Sequence, residues 1–189
     1  MSYLKIFCLS VFTVLFVSCQ DNKNNTMDKN NTLKDSIFDT DKKIIRAIGE
    51  TLTPDAKKKV ENWEEYHQLD NFLDNFYSSS PNEVLNLSKE LSVTTKQLKD
   101  SLKIDRFKQP DVSIRINVLH NYALRLADMS TIPSIKVEEV QEETQNVLDA
   151  FSALNSKINN LTKQEKLEKE LKNFTAPIEI ESDERIIFN

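Results

Sequence analysis

The chain has 189 residues, a formal net charge of −5, one Gly, two Cys and two His. That is about the length of one domain. With Gly49 alone, the chain lacks the GxGxxG turn of dinucleotide enzymes, the P-loop and the GxSxG nucleophile elbow in their usual forms. Its mild acidity argues against a general nucleic-acid binder. Residues 1–18 carry one charged side chain, Lys5, ahead of an apolar run from Ile6 to Val17. A charged start, a short apolar stretch and a small residue, Ser18, together make a signal-peptide pattern. A helix of about twelve residues spans ~18 Å, short of the roughly 30 Å of a hydrocarbon core.

Phe16-Val17-Ser18-Cys19 resembles the lipobox of bacterial lipoproteins, with Phe16 where Leu is usual. The resemblance covers only the signal segment and Cys19. It implies cleavage between Ser18 and Cys19 and a diacylglyceryl group on the Cys19 sulfur, so the chain is expected to meet a membrane through that lipid. Each buried methylene contributes about 0.8 kcal/mol, and two or three acyl chains make a stable anchor. In enterobacterial lipoproteins Asp directly after the Cys retains the protein in the inner membrane. Gln20 stands here, which favours the outer membrane. Cys8 leaves with the signal segment, so the mature chain carries no free thiol for a disulfide, a metal or a nucleophile. Loss of Lys5 takes the net charge from −5 to −6.

Residues 20–35 hold almost no apolar side chain and cannot offset the entropy of ordering. They read as a disordered polar tether to residue 39; twenty such residues span roughly 25 Å. Asp35-Ser36-Ile37 resembles the Asp-Ser/Thr-apolar O-glycosylation site of Bacteroidota, which makes Ser36 a candidate. Asp100-Ser101-Leu102 has the same form. Ile44, Ile45, Ile48 and Leu52 predict a first helix over 40–52. Thr53-Pro54-Asp55 then reads as an N-cap, a first-turn Pro and a first-turn acid. Val60, Trp63, Tyr66, Leu69, Leu73 and Phe76 predict one helix from Pro54 to about Tyr77. Phe72 and Tyr77 fall off that stripe and are candidates for a contact surface.

Ser80-Pro81-Asn82-Glu83 is a capping box ahead of Val84, Leu87, Leu91, Leu98 and Leu102, with Thr94 and Thr95 filling the gap. Pro110 opens a further helix through Val112, Ile116, Leu119, Ala123 and Leu126, broken at 131–134. The last helix carries Val137, Val140, Thr144, Val147, Phe151, Leu154, Ile158 and Leu161 at heptad spacing. Asn159-Asn160 marks a break there, with Thr162-Lys163-Gln164-Glu165 recapping a piece that bears Leu167, Leu171 and Phe174. In the tail, Ile178-Glu179-Ile180-Glu181 alternates and Arg185-Ile186-Ile187-Phe188 is mostly apolar. That segment could pack on the body, add as an edge strand or stay loose.

Chemical constellations are sparse. Glu64-x-x-His67 has no second copy to complete a di-metal bundle site. His120 has no carboxylate three residues before it, and two histidines cannot make a three-His zinc site. Glu138, Glu139, Glu142 and Glu143 read as a solvated helix flank, and the lysines at 57–59 and 163–172 as mixed-charge surfaces. No catalytic residue, metal or cofactor is expected, and no nucleic-acid partner.

The expected fold is all-α: an antiparallel bundle of about four amphipathic helices after a disordered tether. An elongated helical hairpin or coiled coil is the alternative. The expected organisation is a signal peptide over 1–18, a lipidated tether over 19–39, a helical domain over 40–174 and a tail over 175–189. The expected function is that of a lipid-anchored, non-enzymatic interaction or structural module of the cell envelope. Its partner would be an unidentified envelope protein or a second copy. The alternative is a small-ligand carrier or sensor with a pocket inside the bundle.

Overall fold

The computed structural model describes residues 40–175, all within the compact unit Asp39–Asn189. Five α-helices follow an extended entry segment: α1 (Pro54–Lys59), α2 (Glu64–Tyr77), α3 (Pro81–Asp100), α4 (Pro110–Met129) and α5 (Val137–Thr175). Two-residue strands β1 (Ile44–Ile45) and β2 (Ser78–Ser79) pair antiparallel, and a 3-10 turn, Asp105–Phe107, joins α3 to α4. The body is an all-α bundle. Contacts between Trp63 and Ser101, Thr95 and His120, Asp111 and Lys157, and Arg125 and Glu143 run antiparallel from each helix to the next.

The sequence signals of α3 and α4 carry over directly. The Ser80 hydroxyl accepts from the Glu83 amide, and the Glu83 carboxylate accepts from the Ser80 amide. Pro81 and Pro110 each stand in a first turn, where a missing N–H costs nothing. Val84, Leu91 and Leu98 from α3 meet Val112, Ile116, Leu119, Ala123 and Leu126 from α4 in one core. Ser88 and Thr95 are the small buried residues between them, each hydroxyl returned to its own helix's carbonyls. All eight residues of the α5 heptad seam are buried, and the seam is covered from within the chain by the other helices.

Three expectations fail, each for a physical reason. Residues 40–52 form no helix. They run extended, and Ile45 and Ile48 are 86% and 69% exposed, so their helical spacing has no buried face to serve. The helix expected from Pro54 to Tyr77 breaks at 60–63. The break turns α1 onto α5, where Lys59 pairs with Glu165 and Asp55 with Lys166, while Trp63 Nε1–H donates to the Ser101 hydroxyl at 2.8 Å. The third concerns α5, which does not break at Asn159-Asn160 and runs unbroken for 39 residues, about 58 Å. Thr162 bonds back to the Ile158 carbonyl instead of capping a new helix. Asn159 is turned to another task.

That task is to hold the entry segment. Residues 46–53 lie along α5 as a strap. The Glu50 amide donates to Ser152 Oγ at 2.8 Å and the Thr53 amide to Asn159 Oδ1 at 2.9 Å. Asn155 Nδ2 donates to the Glu50 carbonyl and Asn159 Nδ2 to the Thr51 carbonyl. At the other end the Arg46 amide donates to the Tyr77 carbonyl, and its guanidinium to the Phe76 carbonyl and Ser79 Oγ. The strap comes close enough to α5 that a Cβ on Gly49 would meet Ser152 Oγ at 2.6 Å and Cβ at 2.7 Å.

Gly49→Ala is expected to lower stability by about 1–3 kcal/mol through overpacking, where an unobstructed Gly→Ala change gains about 0.4–1 kcal/mol. Urea unfolding of both proteins reads the sign, and a stabilised variant would mean that the strap is not seated on α5. A second expectation concerns α1. Hydrogen bonds from Lys169 and Lys59 hold the Glu165 carboxyl down to about 2, from an ordinary 4.5. Its contribution is present above the unfolded value and lost as pH falls toward 2. Glu165→Gln should flatten that part of the acid-unfolding profile, as followed by circular dichroism.

Candidate binding cleft

The strap, α2 and α5 enclose a cleft of about 390 Å³. Its floor is aromatic. Tyr66 and Phe151 stack at 5.8 Å between centroids, and Trp63 lies 5.8 Å from Tyr66. Tyr66 comes from the apolar stripe of α2 and Phe151 from the seam of α5, with Trp63 packed behind them just before α2, so the core packing itself fixes the floor. The Tyr66 hydroxyl donates to Asn155 Oδ1 at 2.8 Å, and Asn155 in turn donates to the strap. One side chain thus joins floor and wall. His67, Asp70, Asp74 and Tyr77 line the α2 side, and Lys57 stands at the edge. Residues 67, 70, 74 and 77 are spaced to share one helix face.

The electrostatics of this face are unbalanced. Asp70 and Asp74 are one helical turn apart, where like charges repel. Neither makes an ion pair or a hydrogen bond among the described residues. Burial, then repulsion by Asp74, raises the Asp70 pKa against the pull of His67 and Lys57. Burial also raises Tyr77, helped by Asp70 and Asp74. Tyr66 is pushed up by burial first, then by Asp70 and Tyr77, so both hydroxyls stay protonated. The His67 ring gives its Nε2–H to the Val60 carbonyl at 3.0 Å, which fixes its orientation.

The arrangement sets two exposed carboxylates beside a floor whose aromatic rings are themselves buried core. A cation seated there would gain charge attraction from Asp70 and Asp74. No nucleophile stands against a base within this cleft. Among the described residues no group of three or more His, Cys, Asp or Glu is placed to hold a metal ion.

The other candidates fall elsewhere. His120 meets Thr95 Oγ1 at 2.9 Å on the α3–α4 side. Burial, then Lys99 and Lys96, lowers its pKa, so the neutral ring is favoured. Glu64 is exposed and accepts from Gln68. The flank of acids on α5 is solvated in part only: Glu143 is 1% exposed. Its Oε2 pairs with Arg125 Nη2 at 3.2 Å, and its Oε1 has no hydrogen-bond partner. Glu143 sits beside Thr144 of the seam, and α4 supplies the cation that makes its burial tolerable. Ser101 is buried, accepts from Trp63 and donates to the Leu98 carbonyl, so the Asp100-Ser101-Leu102 copy of the glycosylation pattern is not accessible. Phe72 is half-buried against Phe76, whereas Tyr77 lines the cleft. Ser18, Cys19, Ser36 and residues 176–189 lie outside the described residues.

The sequence reading missed Arg46, Gly49, Ser152, Asn155 and Asn159, and placed no weight on Asp70 or Asp74. One signal was present. Ser152, Asn155 and Asn159 recur at spacings of three and four, a second stripe beside the apolar seam. Comparison with protein-family models, curated proteins and solved structures finds no match to this chain.

Because folding raises the Asp70 pKa, its ionised form favours the unfolded chain, and this penalty vanishes at acid pH where the carboxyl is neutral in both states. Asp70→Asn should therefore raise the melting temperature at pH 7 and give no gain at pH 3. A loss of stability at pH 7 would mean that Asp70 has a structural partner.

Proposed function

We propose that the chain is a lipid-anchored protein of the cell envelope whose helical body is a non-enzymatic binding module. Cys19, in its lipobox-like setting, carries the anchor, and Gln20 favours the outer membrane. No described helix is long and apolar enough to cross a membrane. The reading has the body tethered by lipid and offering its cleft to a partner protein of the envelope.

The observation that carries the binding reading is the unpaired couple Asp70 and Asp74 above an aromatic floor. Both carboxylates are exposed at the edge of the cleft, and two like charges one helical turn apart cost a few tenths of a kcal/mol. A bound cation would relieve that repulsion. The partner group is therefore an ammonium or guanidinium, presented by a lysine or arginine side chain. The cleft also favours a second reading, in which the same cation belongs to a free small amine and the protein is a carrier or sensor. A volume of about 390 Å³ lies within the range of small-molecule sites.

Affinity capture of the full-length lipidated protein from native membranes in mild detergent tests the first reading, with Cys19→Ala and Asp70→Asn/Asp74→Asn versions alongside. The expected result is a stoichiometric protein partner lost in both variants. A partner lost with Cys19→Ala alone would keep the anchor and reject the cleft as the contact. Recovery of the protein alone would reject the partner reading. A rise in melting temperature with putrescine, absent in the double Asn variant, would then support the small-amine reading.

A further inference from the structure

The last turns of α5 carry an apolar face that the bundle does not use. Residues 166–174 are all exposed. Leu167, Leu171 and Phe174 recur at spacings of four and three, so they share one helix face, and they are 48%, 63% and 87% exposed. At its inner end this stripe runs into a groove of about 490 Å³, lined by Asn159, Lys163, Leu167 and Glu170 of α5 and by Glu50 and Thr53. Leu167 belongs to both. Lys166 pairs with Asp55 and Lys169 with Glu165. Lys163, Glu170 and Glu50 make no ion pair among the described residues.

The chain that follows has the length and the pattern to cover this face. Fourteen residues continue past Thr175. Ala176-Pro177 disfavours further helix, which sets a reversal within one turn of Phe174. In Ile178-Glu179-Ile180-Glu181 the alternation puts Ile178 and Ile180 on one face of an extended segment. An extended residue advances about 3.3 Å and a helical one about 1.5 Å, so each residue returning along α5 passes about two of its residues. Counted back from Phe174, Ile178 stands at the level of Phe174 and Ile180 between Leu171 and Leu167. Glu184 then arrives beside Lys163, and Arg185 at the level of Asn159, whose carboxamide holds Glu50. Glu170 falls at the level of Ile180, where no like charge meets it. Apolar positions thus meet apolar ones, and the two charges that follow match the groove in sign and order. A segment joined to the stripe by two residues competes for it at an effective concentration of order millimolar, which a separate chain would have to exceed.

We propose that residues 178–185 lie back along their own α5, extended and antiparallel to it, with Ile178 and Ile180 on the Leu167–Leu171–Phe174 stripe and Glu184 at Lys163 in the groove. Glu179, Glu181 and Asp183 then face outward, so a protein approaching this end of α5 meets carboxylates in place of an apolar helix. The inference rests neither on the cleft nor on the lipid.

A carbodiimide joins a lysine directly to a carboxylate in contact with it. The full chain, purified in mild detergent, is treated as an equal mixture of isotope-labelled and unlabelled protein, and joined peptides are read by mass spectrometry. The Lys59–Glu165 pair, 2.8 Å apart, reports an intact fold. Docking predicts a Lys163–Glu184 link within chains of one label. In Leu167→Gln/Phe174→Gln, where both side chains replaced are exposed, that link should fall several-fold while Lys59–Glu165 persists. A link between chains of different label would overturn the proposal in favour of a second copy. It would equally fail if Lys163 joined no tail carboxylate, if the tail joined Lys96 or Lys99 of α3 as often as Lys163, or if the double variant kept the link.

Discussion

Backbone polar groups that leave water need partners, and an extended segment laid on a helix cannot take them from the helix's backbone, which is already paired. The strap and α5 meet under this constraint. Ser152, Asn155 and Asn159 stand where apolar residues would otherwise extend the core, because each answers an amide or carbonyl of residues 50–53. The uninterrupted course of α5, the closeness that requires Gly49, the wall of the cleft and the orientation of Tyr66 all follow from that contact. Asn155 is its centre: one carboxamide accepts from the Tyr66 hydroxyl and donates to the strap.

The bundle was legible because its signals are local. Ser80 with Glu83, and Pro81 and Pro110, mark helix starts through bonds made within one turn. The α5 seam announces its buried face through spacing alone. The strap was not legible, because what holds it lies about one hundred residues away in sequence. Ile44, Ile45, Ile48 and Leu52 imitate a helix stripe, but apolar spacing describes a helix only when something covers it. By propensity Asn159 and Asn160 belong at a helix end. Buried Asn159 gains partners on the strap that outweigh a few tenths of a kcal/mol of propensity.

The acids tell a similar story in charge. Glu143 and Asp70 look alike in the sequence, each in a mixed-charge helix. Glu143 is buried but answered by Arg125. Asp70 reaches solvent but is answered by no ion pair, with Asp74 one turn away. Sequence alone does not separate the two; the tertiary contacts do, giving Glu143 a cation and leaving Asp70 without one.

The strap also lies between the helices and everything N-terminal to them, Cys19 included. Tension applied along the chain from a fixed N-terminus would first load the bonds of Thr40 and Asp41 to Asn82 at the start of α3 and the pairing of β1 with β2. It would then reach the Arg46 bonds to the α2 carbonyls, and after them those to Ser152, Asn155 and Asn159 in turn. Bonds loaded one after another peel at low force, whereas the interlocked side chains of α3, α4 and α5 would have to shear together. The segment that closes the cleft is therefore also the molecule's mechanical fuse: a pull would open the wall beside Tyr66 and Asp70 while the bundle stayed folded.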